Sequence, residues 1–323
     1  MKIDEKFDID KPLWDQSTFL GRFKYFVFIA DCRMIFVSDK KLREAKKFCE
    51  DYKMGKIPPG TQMSDIIRAK KYRDSAFHPD TGELIHVIAR LSSQWPASVI
   101  LTTSMLAVQK STTAMVACQV VNQIYDAVIN YTYRGSLNGI TNTALRNAFL
   151  CAVFSSSLAT ILCRRMLSRK GNVFTRCVPF CAVVTGQMVN LPIIRYKEIT
   201  TGTPLYIREE KEPFMRSQVA AMKGISECLI TRIAMCFPCL LMIPILSHKF
   251  MPCFSQRRPW LSTAIESFSC ALFCMIAIPS SYAIFPERNS MNPKWMKLHA
   301  SEYEEFKRCV KERVDKVYYH KGL

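Results

Sequence analysis

Residues 263–285 read TAIESFSCALFCMIAIPSSYAIF, and this stretch decides what kind of protein the chain is. Its one charged residue, Glu266, lies close to its first end, where a side chain can extend toward the lipid headgroups. About twenty apolar residues are the length that crosses the hydrocarbon core of a bilayer. The stretch therefore predicts a membrane-spanning helix.

Earlier stretches of similar length and apolar character bring the candidate spans to five. They are residues 97–118, 144–163, 174–194, 228–246 and, as quoted, 263–285. The first is the weakest, because Gln109 and Lys110 interrupt it. The pattern predicts an all-α, multi-pass membrane protein with about five transmembrane helices, and a soluble helical bundle is the alternative.

Charge divides the chain into three parts. Residues 1–96 form a polar N-terminal helical arm, residues 97–286 the membrane domain, and residues 287–323 a polar C-terminal tail. Within the arm, capping and apolar patterns predict helices at 38–54, 61–75 and 84–94, and Pro96 ends the last of them. Five spans would place the arm on the same side of the membrane as the loops 164–173 and 247–262, with the tail on the opposite side.

The formal net charge of +18 indicates a polyanionic partner, either nucleic acid or an anionic membrane surface. The long apolar runs favour the lipid bilayer over nucleic acid. Most of the 14 cysteines lie inside those runs, where a free thiol acts as a small hydrophobe, so a reducing compartment or burial in lipid is expected. The first residues lack the apolar core of a secretory signal, so any organelle targeting is expected to be internal.

Residues 77–83, FHPDTGE, combine an imidazole, two carboxylates and a hydroxyl. The favoured interpretation is a helix start, in which Asp80 caps the next helix and Glu83 completes a capping box. A second interpretation is a gate or hinge at the entrance of the membrane domain, formed by His78, Asp80 and Glu83, with Pro192 as a further gate or hinge candidate. A metal site is the third, and it lacks a standard ligand spacing because His78 and His86 are eight residues apart.

A row of polar side chains follows the first candidate span. Asn122, Asp126 and Asn130 recur every four residues, so a helix would place them on one face, with Gln119 and Gln123 alongside. One interpretation is the polar wall of a water-filled substrate path. The alternative is a solvated helix in a loop just beyond the membrane.

The end of the third span offers further candidates for a substrate path. Pro192 frees a backbone carbonyl, and the adjacent amide of Asn190 can bind polar groups of a ligand. Arg195 follows at the exit of the span, and simple kinking by the proline is the alternative. Arg232, near the start of the fourth span, is expected to extend toward the headgroups.

Catalytic motifs are missing from the sequence. It contains no P-loop, no GxGxxG and no GxSxG, so we expect no enzyme activity and no cofactor. Cys236 and Cys239 form a CxxC pair within the fourth span, where inert packing is expected over thiol exchange.

Several motifs resemble those of the sideroflexin family of mitochondrial inner-membrane proteins. They are Trp14-Asp15-Gln16 with Thr18-Phe19 and Gly21-Arg22, Pro58-Pro59-Gly60-Thr61, His78-Pro79-Asp80-Thr81-Gly82-Glu83, Asn122-Gln123 with Asn130-Tyr131-Thr132, Val178-Pro179-Phe180, Asn190 with Pro192 and Arg195, Phe285-Pro286, and Lys321-Gly322-Leu323. The likeness covers essentially the whole length, and the arm looks most like the second of the animal paralogues.

The resemblance implies five spans, internal targeting to the mitochondrial inner membrane, and transport of serine or similar small neutral amino acids that supply one-carbon metabolism. A zwitterionic substrate needs a partner for each charge. Arg195 or exposed helix amides are the candidates for its carboxylate, and Asp126 is the candidate for its ammonium. The candidates for its hydroxyl are Asn122, Asn130 and Asn190.

The sequence departs from the family pattern around this presumed path. The family has an asparagine where this chain has Asp126, and its alanine-rich third span here contains Thr185, Gly186 and Gln187. Two other functions stay open. One is a membrane scaffold for iron or haem homeostasis or respiratory-complex assembly, docked through the arm and tail. The other is metal transport past the thiols of the fourth and fifth spans.

Overall fold

The computed structural model describes residues 7–56, 60–109, 111–134, 140–167, 172–207, 212–250, 259–310 and 314–322, and this part of the chain is mostly helical. Pro58, Pro59, Lys110 and Leu323, which belong to the motifs above, lie outside the described residues. The helices are α1 Phe19–Ile29, α2 Asp39–Lys53, α3 Met63–Ala76, α4 Leu91–Ala107, α5 Thr112–Thr132, α6 Asn142–Leu167, α7 Asn172–Thr175, α8 Val178–Ile194, α9 Tyr196–Thr201, α10 Gln218–Phe237, α11 Ile243–Phe250, α12 Pro259–Ile284 and α13 Ala300–Cys309.

Two of the arm helices match the sequence prediction, and the third does not. Helices α2 and α3 confirm those expected at 38–54 and 61–75. The prediction of a helix at 84–94 is wrong, because Leu84 pairs with Phe77 in a β-bridge and a 3-10 turn follows at Val87–Ala89. Helix α4 begins only at Leu91 and runs through Pro96. The backbone amide of Ile85 donates to the carbonyl of Ala76 at 2.9 Å, which holds this segment against the end of α3.

The long helices run back and forth between two ends of a bundle. At the end that carries the arm, called the arm end, Arg22 of α1 donates to the carbonyl of Ala283 at 2.8 Å. At the opposite end, called the far end, Arg164 donates to the carbonyl of Gln109 at 2.6 Å. The chain turns at the far end after α4, α6 and α11, and it returns to the arm end in α5, α8 and α12.

This path corrects the expected orientation. The first predicted span, 97–118, is broken between α4 and α5, and α5 runs back beside α6 and α8 as one more leg of the bundle. The added leg brings the end of α12 back to the arm. The tail therefore begins at the arm end, and α6 and α11 end at the far end, while residues 168–171 and 251–258 of the expected loops lie outside the described residues.

Within the described residues, three helical stretches are long and apolar enough to cross a membrane, which confirms a multi-pass membrane protein in coarse terms. They are residues 142–167, 218–247 and 264–284, and the shorter helix α8 is also apolar. The predicted count of five is not confirmed. Large apolar side chains on these helices point outward, among them Phe154, which is 71% exposed, and Phe268, which is 67% exposed. Such side chains are typical of a surface that faces lipid.

The tail and the segment after α9 fold together, which corrects the expected all-α class. Strands β1 Thr203–Tyr206 and β2 Met215–Ser217 join β3 Arg288–Met291 and β4 Val317–His320 in an antiparallel sheet of order β2-β1-β4-β3. The division of the chain at residues 96 and 286 stays a prediction. The sheet has its own small core, whose buried members include Leu205, Met296 and Tyr319.

Candidate functional site

The predicted polar row lies on one face of α5, and that face is turned into the bundle. Asn122, Asp126 and Asn130 are half-buried, and each makes a hydrogen bond to another polar side chain. Asp126 bonds Gln187 on α8, Asn130 bonds Asn190 on α8 and Arg232 on α10, and the Asn122 amide bonds Asp126 within α5. The row is therefore part of a helical leg within the bundle, and the alternative of a solvated loop helix is wrong.

An acid and a base meet at the middle of this face through one neutral amide. The Nε2 of Gln187 on α8 donates to Oδ2 of Asp126 at 2.6 Å. The guanidinium of Arg232 on α10 donates to Oε1 of the same glutamine at 2.8 Å. Gln187 thus connects a carboxylate and a guanidinium while keeping them apart, and the three helices contribute one residue each.

Two asparagines extend this network toward the arm end. Arg232 also donates to Oδ1 of Asn130 at 2.9 Å, and the Asn130 amide donates to Asn190 on α8 at 3.4 Å. On the other side, the Asn122 amide lies 3.5 Å from the Asp126 carboxylate. We call these six residues the polar network: Asn122, Asp126, Asn130, Gln187, Asn190 and Arg232.

Gln123, another predicted path residue, is fully buried one turn before Asp126. Its amide packs against Gly186, where any Cβ would overlap the amide nitrogen. A larger residue at position 186 would therefore force the Gln123 amide to move from its place between α5 and α8. Gln119, one turn earlier, is also fully buried.

Arg195 is buried at the end of α8, but its guanidinium turns toward the C-terminal strand. It pairs with Glu198 and donates to the carbonyl of Lys321 at 2.8 Å. The Sγ of Cys228 lies 3.4 Å from the carbonyl oxygen of Gly322, so α10 contacts the same segment. Burial lowers the pKa of Lys321 below its ordinary value. Arg195 therefore fastens the end of the tail to the bundle, and Arg232 replaces it as the cation closest to the polar row.

The FHPDTGE segment forms a tight turn and not a helix start, so the capping role expected for Asp80 is wrong. The ring Nδ1 of His78 accepts from the backbone amides of Asp80 and Thr81, at 3.2 and 3.3 Å. Gly82 has a φ of +67°, a left-handed conformation that glycine adopts without strain. The side chains of Asp80 and Glu83 are exposed.

The turn connects the arm to the end of α5. The His78 ring is buried and lies 6.0 Å from the ring of Tyr133, which follows directly after α5. This contact is the place where movement of the arm would reach the helix that carries the polar row. The gate or hinge role of His78, Asp80, Glu83 and Pro192 stays a prediction, and Pro192 itself lies inside the last turn of α8.

The thiols of the fourth and fifth spans meet in an apolar setting. The Sγ atoms of Cys239 and Cys274 are 3.1 Å apart, and both belong to a buried cluster with Leu106, Ile243 and Ile278. In the part of the chain that the structure describes, no group of three or more His, Cys, Asp or Glu side chains is placed to hold a metal ion.

The site residues that sequence reasoning missed are Gln187 and Arg232. Gln187 lies in a span that is rich in alanine in the family pattern, and this departure was a sequence signal that the position has a polar role. Arg232 was assigned to the headgroups because it lies near the start of the apolar run, but α10 begins ten residues earlier than the predicted span, at Gln218. The longer helix places Arg232 beside Gln187 and Asn130 inside the bundle.

Comparisons of the sequence with known proteins point to one family. A model of the sideroflexin family matches residues 8–323. The chain is 35% identical to sideroflexin-2 of Drosophila melanogaster over 326 residues, which cover 100% of this chain and 99% of the relative. It is 35% identical to human sideroflexin-2 and 34% identical to sideroflexin-3 of Rattus norvegicus, with 98% of each chain covered in both cases. No solved structure matches the chain.

Proposed function

The chain belongs to the sideroflexin family, and on this basis we propose that it is a transporter of the mitochondrial inner membrane for serine or similar small neutral amino acids. The serine that it delivers would supply one-carbon metabolism. The observation that carries the proposal is the pair of opposite charges inside the bundle, Asp126 and Arg232, separated by the Gln187 amide.

A small neutral amino acid carries an ammonium and a carboxylate on the same carbon, and both must be satisfied when they leave water. Asp126 can accept from the ammonium, and the fork of the Arg232 guanidinium can donate to the carboxylate. Because the protein charges cancel each other, the network favours a substrate with no net charge over an anion or a cation.

The asparagines on either side provide neutral donors and acceptors. Asn130 and Asn190 lie toward the arm end, and Asn122 lies toward the far end. A substrate that leaves the charge pair meets another amide within about one helical turn. Such a series supports passage, because the asparagine positions on either side of the charge pair bind the substrate with neutral groups only.

The test is an uptake panel in lipid vesicles that contain only this protein. Radiolabelled serine should enter faster than labelled glutamate or lysine, and Asp126→Asn should reduce serine uptake at least tenfold. Thr185→Val is the matched control on α8, because the Thr185 hydroxyl donates to a carbonyl of its own helix, that of Cys181. Import into isolated mitochondria followed by carbonate extraction tests the location in the inner membrane. Serine flux no higher than in empty vesicles would refute the transport proposal.

The scaffold function makes a different prediction in the same system. A scaffold docked through its arm and tail would lose its cellular role when arm surface residues are changed, while vesicle uptake would be absent from the start. Removing the whole arm does not separate the two functions, because α1 packs on α12 through Arg22 and a 5.3 Å ring contact between Phe26 and Tyr282. Surface changes at exposed positions such as Phe36, which is 89% exposed, are the cleaner test.

A further inference from the structure

Two buried glutamines on α5 carry amide atoms without a partner among the described residues, although the Gln119 nitrogen donates to the carbonyl of Pro179 at 3.5 Å. Gln119 and Gln123 lie one turn apart, and neither has any exposed surface. Within the described part of the chain, both the oxygen and the nitrogen of the Gln123 amide lack a hydrogen-bond partner, and so does the oxygen of Gln119. Polar groups in such positions are almost always satisfied in folded proteins, so an unpaired amide indicates a bound water or another bound polar group.

The surroundings show where that bound group would lie. The amide of Gln123 packs against the backbone of Gly186, and the side chain of Ser156 on α6 lies against the same glycine. Gly186 immediately precedes Gln187, whose amide holds Asp126 and Arg232. The Gln123 amide is therefore adjacent to the charge pair, one turn along α5 toward the far end.

The space beyond the glutamines is apolar and closely packed. Met105, Val183 and Leu240 form a buried cluster there, and the Gln119 amide lies 3.7 Å from the Met105 sulfur. This packing leaves the Gln123 amide at the boundary between a polar network and an apolar core. A group that binds the amide must be small, and it must carry a hydrogen-bond donor or acceptor.

We infer that Gln123 is a specificity-determining residue, whose amide binds the hydroxyl of a substrate side chain while Asp126 and Arg232 hold the ammonium and carboxylate. The inference rests on the proposed function and names its substrate class: amino acids with a short hydroxyl-bearing side chain. The ammonium, carboxylate and hydroxyl of serine lie within a few bonds of one another. The Gln123 amide likewise lies about one turn of α5 from Asp126, the acidic member of the charge pair. Alanine has the same backbone charges and leaves the amide unpaired.

The expected preference follows from one hydrogen bond. A neutral hydrogen bond within a protein changes an equilibrium by about two- to tenfold, so kcat/KM for serine should exceed that for alanine by about this factor. Gln123→Met keeps the length and apolar volume of the side chain and removes the amide. In this variant the serine-to-alanine ratio should fall to about one, mainly through slower serine transport.

The experiment measures kcat/KM for labelled serine and labelled alanine in vesicles with the full-length protein. Gln94→Met on α4 is the matched control, because the Gln94 amide is also buried but accepts from the Tyr282 hydroxyl at 3.0 Å and so already has a partner. The control should keep the ratio of the unchanged protein. The ratio is independent of the amount of protein inserted, so partial loss of folded variant does not alter it.

The possible outcomes distinguish failure of this inference from failure of the proposed transport function. The inference is supported if the serine-to-alanine ratio of kcat/KM is above one in the unchanged protein and in Gln94→Met, and falls to about one in Gln123→Met. A ratio that Gln123→Met leaves intact overturns it and leaves transport standing, because the amide is then held by water. If the variant does not fold, the unchanged protein decides: equal kcat/KM for serine and alanine overturns the inference, and a preference for serine supports it. Flux of neither amino acid overturns both proposals.

Discussion

Removing the two central charges one at a time and together is the most direct test of the polar network. The variants are Asp126→Asn, Arg232→Gln and the double variant. Each single change leaves one charge inside the bundle with only neutral partners, whereas the double change leaves none. Stability and transport should therefore respond differently to the three variants.

The size of the stability effect can be worked from the contacts. Hydrogen bonds of 2.6 and 2.8 Å on the two sides of the Gln187 amide place the charges roughly 7 Å apart, where an effective dielectric constant of ~20 gives about 2 kcal/mol of attraction. Both side chains are half-buried, so screening by water lowers this to about 1–2 kcal/mol. The double variant should therefore lose less free energy of unfolding than the sum of the single variants, by about 1–2 kcal/mol.

The transport rate, unlike the free energy of unfolding, should not be less affected in the double variant than the single variants predict. If the two charges bind the substrate, each variant lacks at least one charge-assisted hydrogen bond, worth ~1.5–3 kcal/mol, which is a loss of about tenfold or more in kcat/KM. The double variant should transport as poorly as the worse single variant. Thermal unfolding in detergent measures the stability, and serine uptake in vesicles measures transport.

A second charge pair supplies the control. Arg176 and Glu266 are 2.9 Å apart near the far end, and both are partly buried. The double variant Arg176→Gln with Glu266→Gln should lower stability to a similar extent and leave serine uptake within about twofold. Recovery of uptake in Asp126→Asn with Arg232→Gln would refute the reasoning, because the charges would then serve only to stabilise each other.

Three further predictions concern other parts of the chain. Arg195→Gln should release the end of the tail, so Cys228 should react with a maleimide at least tenfold faster than in the unchanged protein; an equal rate, followed by mass spectrometry, would contradict the fastening role. Asp31→Asn should lower the stability of the arm by about 1–3 kcal/mol near neutral pH, because hydrogen bonds from Arg33 and Lys71 hold the pKa of this carboxyl far below its ordinary value. That stability is fully present above the unfolded pKa and is lost as the pH falls through the folded pKa, so the difference in thermal unfolding between the two proteins should narrow as the pH falls from 7 to 2. Cys239→Ala with Cys274→Ala should leave serine uptake within about twofold, since both thiols pack among apolar side chains, and a larger loss would assign them a part in transport.

The tail was predicted on the wrong side of the bundle because one helix, α5, was not counted as a leg of the bundle. The apolar pattern breaks near Gln109, and the polar row that follows was compatible with either a loop helix or a bundle helix. Hydropathy weighs each residue by its side chain alone, so it scores Asp126 and Asn130 as unsuited to a bilayer. The hydrogen bonds to Gln187 and Asn190 satisfy these groups inside the bundle and allow α5 to return to the arm end.

Composition and the 3.6-residue period, which are properties of neighbouring residues, were enough to predict the membrane class, two of the arm helices and the shared face of Asn122, Asp126 and Asn130. The family resemblance came from motifs spread along the sequence. What the shared face contacts depends on how distant helices pack. Gln187 and Arg232 lie about 60 and 100 residues away along the chain, and no local pattern specifies which helix packs against which. Arg195 lies outside the network for the same reason. Its guanidinium binds the end of the tail, and that segment is held in place by a sheet whose strands pair across more than a hundred residues.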